Sequence, residues 1–307
     1  MNHETATQIV RRTLFDSALL RVGHVVVRPA SAQCGEIERQ SVNVLALPIA
    51  GVFAKHEGPR RHVIATPNHA VFIPANSAYR LSFPACIGDQ SLTLQFSSAA
   101  LARVLPQAMS RDGFDCSAYE TRALLAPSVM LARSLLFRRL ARGEVDPLEA
   151  EELSVGLLVC ALSAARKGAT GRNRRVPRAS GRRWRHVERV KEAVSTSPER
   201  KWTLDELAEL ACVSPFHLAH VFRAEVGASV YRYVLRARLA RALGAVLESD
   251  TDLTAVALET GFASHSHFTA RFRELFGLTP TDLRRGTGRA EVIRLRKIVT
   301  AQITATA

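Results

Sequence analysis

Cysteine is scarce and unpatterned: Cys34, Cys86, Cys116, Cys160 and Cys212 form an odd total with no metal-ligand spacing. That excludes a zinc module built on close Cys pairs and a disulfide framework, and it suits a reducing cytosol. No apolar run reaches the ~18 residues of a membrane-spanning helix. The start, Met-Asn-His-Glu-Thr-Ala-Thr-Gln, lacks the basic stretch followed by an apolar one that marks a secretory leader. A phosphate-cradling glycine loop and a Ser-His-Asp setting are also missing, so the chain is not expected to be an enzyme. The expectation is a soluble, cytoplasmic protein with no membrane partner and no cofactor.

Charge is plentiful but uneven. Residues 1–170 carry 18 Lys+Arg against 14 Asp+Glu, whereas residues 171–307 carry 24 against 14. The C-terminal half therefore holds most of the basic excess, which points to a polyanion bound there. With 307 residues, nearly half of them apolar, the chain suits two domains with separate cores.

Short β-rich runs occupy Val22–Arg28, Val42–Phe53, Arg61–Thr66, Ala70–Ile73, Tyr79–Phe83 and Leu92–Phe96. Breakers such as Glu57-Gly58-Pro59 and Pro74-Ala75-Asn76 separate them, the pattern of an antiparallel sandwich or small barrel. From Ser117 to Arg166 the period turns helical, with Leu124, Leu131, Leu135 and Leu136 on a first helix and Leu153, Leu157, Leu158 and Leu162 on a second. This pair must bury its stripes on the sandwich or against a second subunit. Lys167 to Arg185, rich in Gly, Ser and Arg, reads as a basic linker. Past Arg285 the sequence gives no structural signal.

Between these regions and the tail lies a repeated unit. Leu204-Asp-Glu-Leu-Ala-Glu-Leu-Ala-Cys-Val-Ser resembles Leu253-Thr-Ala-Val-Ala-Leu-Glu-Thr-Gly-Phe-Ala, and Phe222-Arg223 and Gly227 correspond to Phe272-Arg273 and Gly277. Each copy reads as a short helix, a turn and a second helix, over about 204–226 and 253–276. Thr203 with Glu206 makes a capping box, with Leu204, Leu207, Ala208 and Ala211 facing inward. Ser214 caps the second helix, Pro215 takes its first position and Gly227 ends it. That leaves Phe216, His217, Ala219, His220 and Arg223 outward. In the second copy Ser264 caps, Phe268 and Phe272 anchor, and His265, Ser266, His267, Thr269, Ala270 and Arg271 face out with Arg273 behind them. One helix, Ser229 to Glu248, joins the copies across roughly 30 Å, close to the ~34 Å between successive major-groove faces. Arg232, Arg236 and Arg238 on it are expected to meet phosphates.

From about Val187 to Arg285, a third of the chain, the sequence resembles the DNA-binding domain of the AraC/XylS family. Ala257, Gly261-Phe262, Ser264-His265-Ser266-His267-Phe268, Phe272-Arg273 and Phe276-Gly277-Leu278-Thr279-Pro280 carry the likeness. Two positions depart from it: Cys212, where the first turn often has Gly, and Val230, where Pro is frequent. The resemblance implies a transcription regulator, activator or repressor, reading double-stranded DNA and responding to a small-molecule effector. It further implies a homodimer, with RNA polymerase as a further partner. The expected fold is α+β with two domains. Residues 1–166 form a cupin-like β-sandwich with a helical pair, for sensing and dimerisation, and 167–185 the linker. Residues 186–285 form an all-α domain of two helix-turn-helix units, and 286–307 a tail.

Polar residues amid apolar strands, His62, Tyr79 and Arg80, are the candidates for touching an effector in the sandwich interior. The rival reading is a cupin-type metal enzyme with a DNA-binding appendage, for which His56, Glu57, His62 and His69 are the ligand candidates. The close His-x-His pair with a following Glu is absent, so no metal site is expected.

Overall fold

The computed structural model describes residues 6–58, 62–104, 109–110, 113–114, 118–166, 181–286 and 289–304. In chain order the N-terminal part holds β1 (Gln8–Asp16), β2 (Arg21–Arg28), β3 (Asn43–Gly51), β4 (Phe53–His56), β5 (His62–Ala65), β6 (His69–Ile73), β7 (Arg80–Ser82) and β8 (Asp89–Phe96). There follow α1 (Ser98–Val104), β9 (Met109–Ser110), β10 (Gly113–Phe114), β11 (Arg122–Leu124), α2 (Pro127–Arg142) and α3 (Pro147–Ala165). A six-stranded antiparallel sheet runs β1-β2-β8-β3-β6-β11, and a three-stranded one runs β5-β4-β7. Val27, Val44, Ala46 and Ile73 of the large sheet meet Phe53, Tyr79 and Phe83 from the opposite layer, so the two sheets form a sandwich.

Alternation decides what each face of the large sheet does. Val22, Leu45, Leu47, Leu92, Leu94 and Phe96 point away from the small sheet and pack on Leu131, Leu135, Leu136, Leu157 and Leu158 of α2 and α3. The helical pair thus buries its stripes on the sandwich. Leu124, expected on the first helix, lies in β11 instead, because the turn before Pro127 delays the helix start. Arg133, wholly buried on α2, donates to the carbonyls of Pro48 and Pro67, the latter at 2.7 Å, and burial pushes its pKa down to about 9.

The C-terminal part comprises α4 (Gly181–Thr196), α5 (Leu204–Leu210), α6 (Pro215–Val226), α7 (Val230–Glu248), α8 (Leu253–Glu259), α9 (His265–Phe276), α10 (Pro280–Arg285) and α11 (Arg289–Thr304). The expected linker falls largely outside the described residues, and 181–185 already belong to α4. The tail is helical where it gave no sequence signal: α11 lies on α2 and α3, burying Leu295 and pairing Arg296 with Glu152 at 3.0 Å. Leu204, expected inside, is 39% exposed at the first position of α5.

The two helix-turn-helix units bury themselves differently. The first has its own cluster, in which Val190, Leu207, Leu218, Phe222 and Tyr233 meet. Phe262, Phe268, Phe272 and Phe276 of the second join the core that continues into α2, α3 and the large sheet. Helix α7 serves both, Tyr233 and Val234 in the first cluster and Leu239, Leu243 and Val246 in the other.

A buried charge cluster ties the first unit to the sandwich. Glu188 of α4, fully buried, accepts from the Ile64 backbone N–H (3.0 Å), from Arg122 Nη1 (3.0 Å) and from Lys191 Nζ (2.7 Å). Burial alone would raise the Glu188 pKa, but the two cations outweigh it and hold the carboxyl below its usual range. Lys191 is pushed down to about 7, by burial first and then by Arg122. Glu188→Ala would leave two buried cations without their carboxylate. A loss of about 3–5 kcal/mol in unfolding free energy is expected, measured by denaturant titration; a loss under ~1 kcal/mol, the level of an exposed pair, would show that the cluster is solvated.

Candidate nucleic-acid interface and the cavity between the sheets

Local chemistry sets each reading helix. In the first unit Thr203 and Glu206 form the capping box, Ser214 Oγ accepts from His217 N, and Pro215 opens α6. Gly227 closes it at φ 82°. With Leu218, Val221 and Phe222 buried, the outward face holds Phe216, His217, Ala219, His220 and Arg223, all exposed, Phe216 at 85%. In the second unit Ser264 Oγ accepts from His267 N, and Gly277 ends α9 at φ 76°. Ser266, Ala270 and Arg273 are exposed there, whereas His265, His267 and Arg271 are half-buried. The His267 ring meets Phe262 edge-on at 5.5 Å, and Arg271 donates to Glu274 Oε2 at 2.7 Å. Thr269 departs from the expected outward face: it is half-buried, and its hydroxyl is closed off from solvent without a hydrogen-bond partner.

The turns differ in one telling residue. Gly261 has φ +88°, and a Cβ there would fall 2.6 Å from the Glu199 carbonyl oxygen and 2.9 Å from Arg238 Nε. Cys212 takes the equivalent left-handed conformation at φ 56° but stands exposed, so its side chain escapes the clash that Gly261 avoids. Helix α7 runs unbroken over 19 residues, roughly 28 Å, and Ser229 caps it.

Not every arginine of α7 is open to a phosphate. Arg232 is exposed. Arg236, expected to meet DNA, instead turns into the N-terminal part, donating to Asn68 Oδ1 (3.0 Å) and to the Leu125 carbonyl. Burial pushes it down to about 10. Arg238 is spent on the carbonyls of Pro198 (2.8 Å) and Arg200 (2.9 Å). Arginines on a helix that packs on both sides cannot all reach solvent, and the helical period alone does not tell which do.

A cavity of about 560 Å³ lies between the sheets. Of the three effector candidates only Tyr79 lines it, with its hydroxyl donating to Glu38 Oε2 (3.1 Å) and accepting from Gln40 Nε2 (2.9 Å). Burial pushes Tyr79 up to about 12. Arg80 lines a second pocket together with His56, and His62 lines neither, its ring 5.3 Å from that of His56. Tyr79, just before β7, is buried, whereas Arg80, which opens that strand, is exposed.

The sequence reading missed the wall that makes the cavity polar. Asp89, Ser91, Thr93 and Gln95 of β8 all line it, opposite in direction to Leu92, Leu94 and Phe96. Alternation in Ser-Leu-Thr-Leu-Gln-Phe carries the signal for Ser91, Thr93 and Gln95, whereas Asp89-Gln90 precede it as two further polar residues that the strand extends through. Asp89 accepts from Ser91 Oγ at 2.6 Å, and burial pushes its carboxyl up to about 6.

The metal candidates do not converge. His56 Nε2 hydrogen-bonds Ser82 Oγ at 2.8 Å, Glu57 is held by Lys55 (2.9 Å) and Thr121, and His69 pairs with Thr66 at 3.0 Å. Among the described residues no three of His, Cys, Asp and Glu gather at metal-binding range, and no helix is long and apolar enough to cross a membrane.

Residues 207–286 match the helix-turn-helix domain family. An HTH-type transcriptional regulator of Haemophilus influenzae, itself uncharacterised, is 31% identical over 93 residues, 30% of this chain and 31% of that one. The regulator GlxA of Rhizobium meliloti is 36% identical over 99 residues, 32% of this chain and 31% of its own. A Streptomyces lividans protein named as an AraC-like transcription regulator is 34% identical over 88 residues, 29% of each chain. The matched region thus spans about a third of the length of these curated relatives.

Asp89 gives this part of the molecule a pH signature. Its folded pKa of about 6 exceeds the ordinary 3.8, so the stability it contributes is full below the ordinary value and is lost as pH rises through about 6. Asp89→Asn should therefore gain on the wild type by about 1 kcal/mol between about pH 5 and pH 7, followed by chemical unfolding at both values. An unchanged gap would mean that the carboxylate is hydrated.

Proposed function

We propose that this chain, whose C-terminal part is an AraC-type helix-turn-helix domain, is a sequence-specific regulator of transcription that binds double-stranded DNA through α6 and α9. The observation that carries the reading is the pairing of two capped helices, each with an exposed polar face, on one unbroken helix of near-groove length. His217, His220 and Ser266 supply donors and acceptors for base edges, and Ala219 and Ala270 meet thymine methyls. Arg223, Arg232 and Arg273 lie along phosphates, which position the protein without specifying sequence. Phe216, His265, His267 and Arg271 complete the contact surface; Thr269 joins it only if the helix surroundings shift to free its hydroxyl.

The sandwich is read as a cupin-like sensing and dimerisation domain, with a small-molecule effector in the cavity that Tyr79 lines. The protein acts as a homodimer and works with RNA polymerase. Effector control runs through the contacts that already join the two parts, Glu188 with Arg122 and Ile64, and Arg236 with Asn68. A ligand that binds one arrangement of these contacts better than another shifts the balance between them.

Duplexes selected by the full chain from random sequence provide the test. Affinity should fall linearly in log–log form with salt. His220→Ala should alter preference at one or two base positions, by about 1–3 kcal/mol each, whereas Arg223→Ala should weaken all duplexes alike and flatten the salt slope by about one. Uniform weakening by His220→Ala would remove its base-reading role; no selection of any duplex would sink the regulator reading.

A further inference from the structure

We propose, building on the effector reading above, that the cavity takes a small organic cation: a primary ammonium on an apolar body, its charged head seated on Asp89 and Ser91. Strand β8 lies inside the large sheet, between β2 and β3, where inward positions of a solid sandwich are apolar. Here four successive inward positions, Asp89, Ser91, Thr93 and Gln95, are polar and line the cavity. The other walls are mixed: Val25, Val27, Phe53, Ile73, Leu81 and Phe83 are apolar, while Arg11, Arg12, Arg21, Glu36 and Glu38 bring charge to the rest of the lining. A buried polar stripe beside these apolar side chains fits a molecule with a polar head and an apolar body.

The sign of the head follows from depth. Asp89 is 7% exposed, and its carboxylate, able to accept about four hydrogen bonds, receives one from a side chain, that of Ser91. No ion pair to Asp89 forms among the described residues, whereas the cavity's cations stand near solvent: Arg11 and Arg12 are exposed on the edge strand β1, and Arg21 is held by Asp16 at 2.7 Å. A ligand hydroxyl would supply a hydrogen bond and leave the buried charge uncompensated. An ammonium supplies both the donors and the opposite charge, in surroundings where water screens little.

Three probes of one shape test this on the full chain: phenethylamine, 2-phenylethanol and 3-phenylpropionate, each followed by calorimetry and by thermal unfolding. The amine should bind at least about tenfold more tightly than the alcohol, as a charge-assisted hydrogen bond to a buried carboxylate requires, and should raise the unfolding temperature. Asp89→Asn, with its fold checked by unliganded unfolding, should erase the preference; Ser91→Ala should weaken the amine and keep the order. Equal binding of the three, preference for the carboxylate, absence of binding, or an undiminished amine preference in Asp89→Asn each overturn the assignment. Duplex binding measured on the same preparations separates the two readings. If it persists while the amine fails, the cation alone is wrong. If the amine binds and no duplex does, the regulator reading fails instead.

Discussion

The large sheet is the partition on which the molecule is built. Because strand side chains alternate, one face must serve the helices and the other the small sheet, and β8 shows both at full strength: Leu92, Leu94 and Phe96 one way, Ser91, Thr93 and Gln95 the other. The apolar face gathers α2 and α3, and these in turn gather α11 and the second helix-turn-helix unit into one continuous core. The polar face is what keeps the sandwich from closing solid. A single residue of register slip in β8 would exchange the two sets, placing polar side chains against Leu135 and Leu157 and filling the cavity with leucine.

That arrangement makes the two units unequal. The second is held by Phe268, Phe272 and Phe276 within a shared apolar core, a bond that no change of protonation touches. The first keeps its own core and meets the sandwich through Glu188, Arg122 and Lys191, a buried cluster with more positive than negative groups. Lys191, brought down to about 7, is the member nearest its titration point. The joint at the first unit is therefore electrostatic and the joint at the second hydrophobic, so whatever alters charge or hydration between the parts acts on α4 before it acts on α9.

The helix-turn-helix pair was legible because its determinants are local. A capping box, a Ser-Pro helix start and a left-handed glycine each depend on three or four consecutive residues, and Thr203 with Glu206, Ser214 with Pro215, and Gly277 behave as their neighbours dictate. What escaped depends on tertiary context. Strand β1 is an edge whose Ile9 and Val10 are both exposed and whose Arg11 and Arg12 break any alternation, so its pairing to β2 supplies the signal that its sequence lacks. Helix α11 buries Leu295 and packs by position rather than by a strong stripe. The start of the cavity's polar wall is hard to read because alternation lapses at Asp89-Gln90-Ser91, three polar residues in a row that only the pairing with β2 and β3 keeps in the strand.

Arginine count alone does not tell which side chains are open to a phosphate, and the reason is structural. The C-terminal half holds most of the excess base, yet Arg236, Arg238 and Arg284 donate to carbonyl oxygens or side chains within the fold, Arg284 to the Thr251 carbonyl at 2.7 Å. Arg200 and Arg241 pair with Glu206 and Glu199. A guanidinium has five donors in a planar fork, well suited to satisfying the orphan carbonyls at helix and turn ends that short helices leave in number. A domain of short helices thus uses arginine for two purposes; on the reading helices and α7, Arg223, Arg273 and Arg232 are exposed, while Arg241, also exposed, is paired with Glu199. The salt dependence of binding counts the cations that reach phosphates, because an arginine already satisfied by carbonyl oxygens displaces no counterion from the duplex.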